Sequence, residues 1–188
     1  MFGSGLRKPK SIRHKGKRLS DILEAHARFA RAEEGGVRAD LSGADLSRAD
    51  LRGLDLRRAI FREARMENAD LRQSRLSVAD LSNVNLRRAD LRSADLTEAN
   101  LSGADLTEAD VSGVELLRTD LSGAKLRGAN CRATNFRLAT LRGADFASAD
   151  LNVALLKEAD LSGVNLTGVD LGTAVLPRGW KPPQSAPK

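Results

Sequence analysis

The chain has 188 residues and a formal net charge of +6, with one Cys, two His, no Tyr and aromatic residues at only 3%. That length fits one domain with room for a core, but the core has to be built from Leu and Ala, and an aromatic platform for stacking single-stranded nucleic acid is not expected. One Cys permits neither an intramolecular disulfide nor a thiolate zinc cluster, and with both His before residue 37 the body lacks the usual material of a histidine-centred catalytic or metal site.

No apolar run reaches the roughly 18 residues that a membrane-spanning helix needs. The basic opening residues lack the apolar segment of a secretory signal. A cytoplasmic protein is expected. Residues 1–37 carry nine Lys/Arg against four Asp/Glu, for +5, and the last twelve residues add +3. Residues 38–176 sum to −2, divided into +3 over 38–92 and −5 over 93–176. The high pI of about 10.0 therefore belongs to the ends.

Residues 1–18 place Arg7, Lys8, Lys10, Arg13, Lys15, Lys17 and Arg18 close together, and such a charge run predicts a disordered tail. Three roles stay open for it: plain solvation, contact with nucleic acid or an anionic membrane through residues 7–18, or docking to an acidic protein. Residues 19–36 predict a capping helix. Asp21 followed by Glu24 reads as a capping box, Gly35-Gly36 as a stop, and Ile22, Leu23, Ala27, Phe29 and Ala30 as an apolar flank. His26 reads as a helix residue at the cap boundary rather than a ligand.

From residue 37 a five-residue period takes over. Leu41, Leu46, Leu51, Leu56, Phe61 and Met66 open a series that continues through Phe136 and Phe146 to Leu176 without an insertion. It has 28 positions, 22 of them Leu. The residue two before each is Ala at 20 of the 28, and the residue between is Asp or Asn at 20. Neither common element fits. Five residues advance a helix by about 500°, which spirals the leucines around every side, and five is odd, so a straight strand would alternate them between faces. A backbone that turns a corner once per unit points every Ala and Leu inward. Four corners close a 20-residue coil, and stacked coils make a solenoid with a dry interior.

The run Ala39-Asp40-Leu41-Ser42-Gly43-Ala44-Asp45-Leu46 resembles the pentapeptide-repeat family of bacterial type. The resemblance implies an all-β solenoid: a right-handed quadrilateral β-helix over residues 37–178, of about seven coils, with the Leu and Ala columns inside. A short helix before the first coil is similar to the lead-in of many family members. The family also includes proteins that mimic duplex DNA and act on type II topoisomerases. This chain departs from them in its nearly neutral body and in the absence of a C-terminal helix.

Residues 179–188 read as a Pro-rich C-terminal tail, with Trp180 as a lid on the last coil. Cys131 occupies a Leu position and is expected to be a small buried hydrophobe. The recurring Asp singles out no acid–base pair, because its bonding to backbone at corners explains it. No phosphate loop, zinc spacing or nucleophile elbow occurs, so no enzyme and no cofactor are expected. A 20-residue coil puts Arg52, Arg72 and Arg92 in one column with rungs roughly 4.8 Å apart, open either to an acidic partner or to neutralisation by Asp50, Asp70 and Asp90. The leading expectation is a non-catalytic protein–protein interaction scaffold with Arg52, Arg72, Arg92, Lys15, Lys17 and Arg18 as partner-binding residues. The alternatives are a topoisomerase modulator and a nucleic-acid or anionic-surface binder acting through the basic N-terminus.

Overall fold

The computed structural model describes residues 5–181. Its body is a solenoid in which residues of the Asp/Asn column bridge, in parallel, the residue twenty positions later. Asp40 pairs with Ile60, Asp45 with Arg65, Asp50 with Asp70 and Asp55 with Arg75, and the four columns continue to Asp160, Asn165, Asp150 and Val175 respectively. A coil therefore has four sides and twenty residues. Each side is a single bridge rather than a long strand, because the next corner arrives after three extended residues.

The five-residue unit is explained by where its five N–H groups go. In the unit 79–83, Ala79 N–H closes a turn on the Leu76 carbonyl (3.0 Å), Asp80 donates back to Ala59 of the preceding coil (3.0 Å), and Leu81 and Asn83 donate forward to Asn100 (2.7 Å) and Ser102 (2.9 Å). The fifth, Ser82 N–H, has no backbone acceptor and is taken by Asp80 Oδ1 at 3.2 Å. An acceptor two residues upstream is what a short Asp or Asn supplies. The same bond recurs at Ser42–Asp40, Thr107–Asp105, Ser122–Asp120 and Ser162–Asp160. The last residue of each unit turns left-handed: from Gly43 to Gly168, every fifth residue has φ between 54° and 73°. That conformation explains why Gly recurs there.

The Leu and Ala columns fill the interior as expected. Leu41, Leu46, Leu51, Leu56, Phe61, Met66 and Phe136 are fully buried, and Phe146 is 1% exposed. Phe136 and Phe146 meet edge to face with centroids 5.7 Å apart. Polar intruders in the Ala column find partners: Ser74, Thr119 and Thr134 donate their hydroxyls to the carbonyls of Leu71, Leu96 and Val111. Cys131 is buried as a free thiol, and burial pushes its pKa up, so it packs as a hydrophobe.

The N-terminal segment differs from the expected tail. Residues 7–18 are folded: Arg7 bridges Ala49, a single 3-10 turn spans Pro9–Ser11, and β1 (Arg13–His14) pairs with β2 (Lys17–Arg18) in an antiparallel hairpin. The reason is Ile12, 1% exposed, an anchor hidden among the charges, together with the Lys15-Gly16 turn, whose two residues both have positive φ (48° and 79°). Residues 1–4, the remainder of the expected tail, and 182–188, most of the C-terminal tail, lie outside the described residues.

Helix α1 spans Leu19–Ala30, shorter than the expected 19–36. It starts straight out of β2 with Arg18 at its N-cap and no side-chain cap bond. The capping box therefore does not form. Asp21 instead accepts the Ser20 hydroxyl, and Glu24 pairs with Arg28 one turn on. Leu19 and His26 are buried, and Ile22 and Leu23 pack on the core. Gly36 lets the chain return against the helix, since a Cβ there would collide with the backbone of Phe29. At the other end, Leu171, Leu176 and Trp180 are partly buried against the core.

Candidate interaction surface

The column of Arg52, Arg72 and Arg92 forms as a ladder. Each arginine grips the Asp two residues before it with two bonds: Arg52 to Asp50 at 2.8 and 2.9 Å, Arg72 to Asp70 at 2.9 and 2.7 Å, and Arg92 to Asp90 at 2.9 and 2.7 Å. Each also leans toward the Asp of the next coil, Arg52 to Asp70 (3.5 Å), Arg72 to Asp90 (3.4 Å) and Arg92 to Asp110 (3.9 Å). Lys8 closes the near end on Asp50 at 2.8 Å. Four cations thus alternate with four carboxylates, and the column is not a strip of free positive charge. The cause is the corner itself, which already aims each carboxylate outward at the residue that follows. Paired in this way, Arg52, Arg72 and Arg92 have raised pKa values, with the hydrogen bond to the neighbouring Asp as the main cause. Asp50 is held well below the usual carboxylate range by Arg52 and then Lys8.

The guanidinium groups still face a shallow groove lined with Gln73 and Ser93. Arg52, Arg72 and Arg92 line it with the amide of Gln73 and the hydroxyl of Ser93, while Asp70 and Asp90 are buried. Such a surface presents fixed donors and acceptors in register with a 20-residue coil rather than a net field.

Lys15, Lys17 and Arg18, the other expected contact residues, sit on the hairpin. Lys15 reaches Asp40 Oδ2 at 3.3 Å. Asp40, bonded first by the Ser42 hydroxyl and backbone and then by Lys15, has its pKa lowered to about 2. Arg7 pairs with Asp45 at 3.6 Å. Between the hairpin, α1 and the first coil lies a cleft of about 560 Å3 whose walls include Lys17, Ile22, Ala25 and Val37. Sequence reasoning missed this cleft because it took its outer wall for a tail.

His26 holds the cap in place. It is buried, and its Nδ1 accepts the Ala39 N–H at 3.1 Å, tying α1 to the first coil. Burial lowers its pKa, against the attraction of Asp55. Its ring stacks on Phe29 with centroids 5.6 Å apart. No described helix is long and apolar enough to cross a membrane.

Among solved structures, the chain is similar to QnrB1, a plasmid-mediated fluoroquinolone resistance protein, at 23% identity and a TM-score of 0.67 over 74% of this chain and 73% of that one. It is also similar to HetL, a pentapeptide repeat protein involved in heterocyst differentiation regulation from the cyanobacterium Nostoc sp. strain PCC 7120, at 30% identity and a TM-score of 0.39 over 76% of this chain and 86% of that one. The first likeness is one of fold. No curated protein matches the chain. The family described as Pentapeptide repeats matches in eight copies, over residues 39–77, 74–113, 104–143, 115–152 and 134–172. With the unbroken five-residue register of its Ala, Asp/Asn and Leu columns folded as a four-sided coil, the chain belongs to the pentapeptide-repeat family of right-handed quadrilateral β-helices.

Proposed function

We propose that this chain is a non-catalytic protein–protein interaction scaffold, a rigid rod of about seven coils that works in the cytoplasm and engages an acidic partner protein along its N-terminal half. The observation that carries the reading is the use of the recurring carboxylates. They are bonded to the backbone at corners and to arginines along the ladder, which leaves them occupied as structural groups while ordered columns of polar side chains face outward. The half of the rod bearing the ladder, residues 38–92, is +3, and the hairpin ahead of it adds four more positive side chains, Arg13, Lys15, Lys17 and Arg18. Such a gradient orients an acidic partner and speeds encounter more than it raises final affinity.

The test is crosslinking of the full chain in its native host, followed by comparison of Lys15→Glu/Lys17→Glu with a distal pair, Arg132→Gln/Arg137→Gln. The hairpin pair should lose the captured partner and the distal pair should keep it. Equal loss from both would overturn N-terminal engagement, and recovery of no partner above background would overturn the scaffold reading.

A topoisomerase modulator is the second reading, favoured by the likeness of fold to QnrB1 over most of both chains. It asks for strongly negative faces, whereas residues 38–176 sum to −2 and many of their acids are ion-paired. A gyrase supercoiling assay at micromolar protein separates the two readings, since the scaffold reading expects no effect.

A further inference from the structure

The first coil of a solenoid has no coil before it, so the backbone groups that elsewhere bond backward need other partners. On the side that carries Asp50 the chain supplies one itself: Arg7 N–H donates to the Arg48 carbonyl (2.7 Å) and Asp50 N–H donates to the Arg7 carbonyl (3.0 Å), a parallel bridge made by an extended residue. On the side that carries Asp55 only a side chain reaches the cap, the Arg57 guanidinium donating to the Ala30 carbonyl of α1 at 3.4 Å. By the pattern of the coils above, the N–H and the carbonyl of both Asp40 and Asp55 point backward, and among the described residues none of these four groups has a hydrogen-bond partner. Of these two edges, the one at Asp40 faces the cleft.

That open edge forms one wall of the cleft under the hairpin. Ile22, Ala25 and Val37 give the cleft an apolar lining, and Val37 is 62% exposed. Lys15, Lys17 and Arg38 bring positive charge, against Asp21 and Asp40. His14, also in the wall, has a buried Nε2 with no partner among the described residues. The volume of about 560 Å3 lies within the range of roughly 300–1,000 Å3 common for ligand sites.

We propose that this cleft receives an extended acidic peptide of the partner, which adds one strand residue to the open edge at Asp40 as Arg7 does at Asp50, places an apolar side chain on Ile22, Ala25 and Val37, and sets carboxylates against Lys17 and Arg38. Strand addition takes its affinity from main-chain hydrogen bonds and its selectivity from side-chain pockets. An edge one residue long contributes little alone, so the apolar floor and the charges carry the rest. The proposal rests on the reading of the chain as a scaffold for an acidic protein and names where on the rod that protein is held.

The experiment is selection of a random phage-displayed dodecapeptide library on the full chain, with fluorescence polarisation of the enriched peptides as free probes. Enriched peptides should be acidic with β-branched residues. They should weaken by about tenfold or more on Lys15→Glu/Lys17→Glu and on Val37→Glu, and lose binding when their central amides are N-methylated. Val37 is exposed, so its variant tests the cleft without touching the core. Enrichment of no peptide, enrichment of basic ones, or indifference to Val37→Glu or to N-methylation would overturn the proposal. If the crosslinked partner is nevertheless captured by wild-type chain and by Val37→Glu alike, the cleft is refuted while the scaffold stands. If neither a peptide nor a partner is recovered, both fail.

Discussion

At the level of single residues, the repeat is a solution to two problems, one unpaired N–H and one left-handed residue per unit. The first favours a short acceptor in the Asp/Asn column, which holds Asp or Asn at 20 of its 28 positions. Asp120→Asn should leave stability unchanged, whereas Asp120→Ala leaves Ser122 N–H without its 2.9 Å partner and should cost about 1 kcal/mol in denaturant unfolding. The second problem is met badly at two places. Val78 (φ 60°) and Val153 (φ 54°) are β-branched residues in the left-handed region, and both are 48% exposed, so burial does not compensate. Val78→Asn and Val153→Asn should each stabilise by about 1 kcal/mol, and Val37→Asn, at an exposed position without positive φ, should not. An unchanged denaturation midpoint for all three would mean that the corner carries no strain. The inward columns were legible in the sequence because their period admits no other regular packing. The corner at Val78 was not, because nothing in a lone valine announces its φ.

Among the elements, the Arg–Asp ladder and the N-terminal cap divide what a sequence can and cannot tell. The column of Arg52, Arg72 and Arg92 follows from the 20-residue coil, but its neutralisation depends on side-chain direction: the corner fixes the carboxylate, and the carboxylate then selects the arginine geometry. Asp70 and Asp90 are buried, at 3% and 0% exposure, so removing an arginine leaves a buried carboxylate short of its counter-charge. Arg72→Gln should therefore lower the melting temperature by several degrees, and adding Asp70→Asn should recover most of the loss while keeping the corner bond. Full additivity of the two substitutions would show that the ladder is decorative. The hairpin was illegible for the opposite reason. A single anchor, Ile12, and one tight turn fold a segment that its charge density marks as tail, and they do so only because the first coil offers an end to cover. Helix α1 was legible from its apolar flank, yet its capping box does not form because the strand before it takes over the work of an N-cap, and it ends at Ala30.

For the whole molecule, pH separates the stability of the rod from that of its cap. His26 is neutral where it accepts the Ala39 N–H, and burial depresses its pKa below the ordinary 6.5. A depressed value means that the folded state binds the proton less readily than the unfolded chain, so this contribution is present above about pH 6.5 and is lost as pH falls through the folded value. Arg38 and Arg57 push it in the same direction as burial, and Asp55 opposes. His14, lowered mainly by burial, has the same sign. The corner carboxylates act in a lower window. Asp40, bonded by Ser42, titrates at about 2, and Asp55 and Asp160 are lowered by their bonds to Arg57 and Ser162. Their contribution is complete above the ordinary value of 3.8 and is lost as pH falls through the folded values, about 2 for Asp40. Thermal unfolding should therefore show a modest loss confined to the cap once pH falls below about 6.5, and a larger loss below about pH 4 spread over the coils. Amide hydrogen exchange places each loss along the chain: the first should appear at Ala39 and in α1 while the amides near Phe136 stay protected. His26→Gln, which keeps an acceptor for Ala39 but does not titrate, should remove most of the first step and leave the second. If the step survives that substitution unchanged, or if exchange at Phe136 rises together with that at Ala39, the cap and the rod unfold as one unit and His26 is not what joins them.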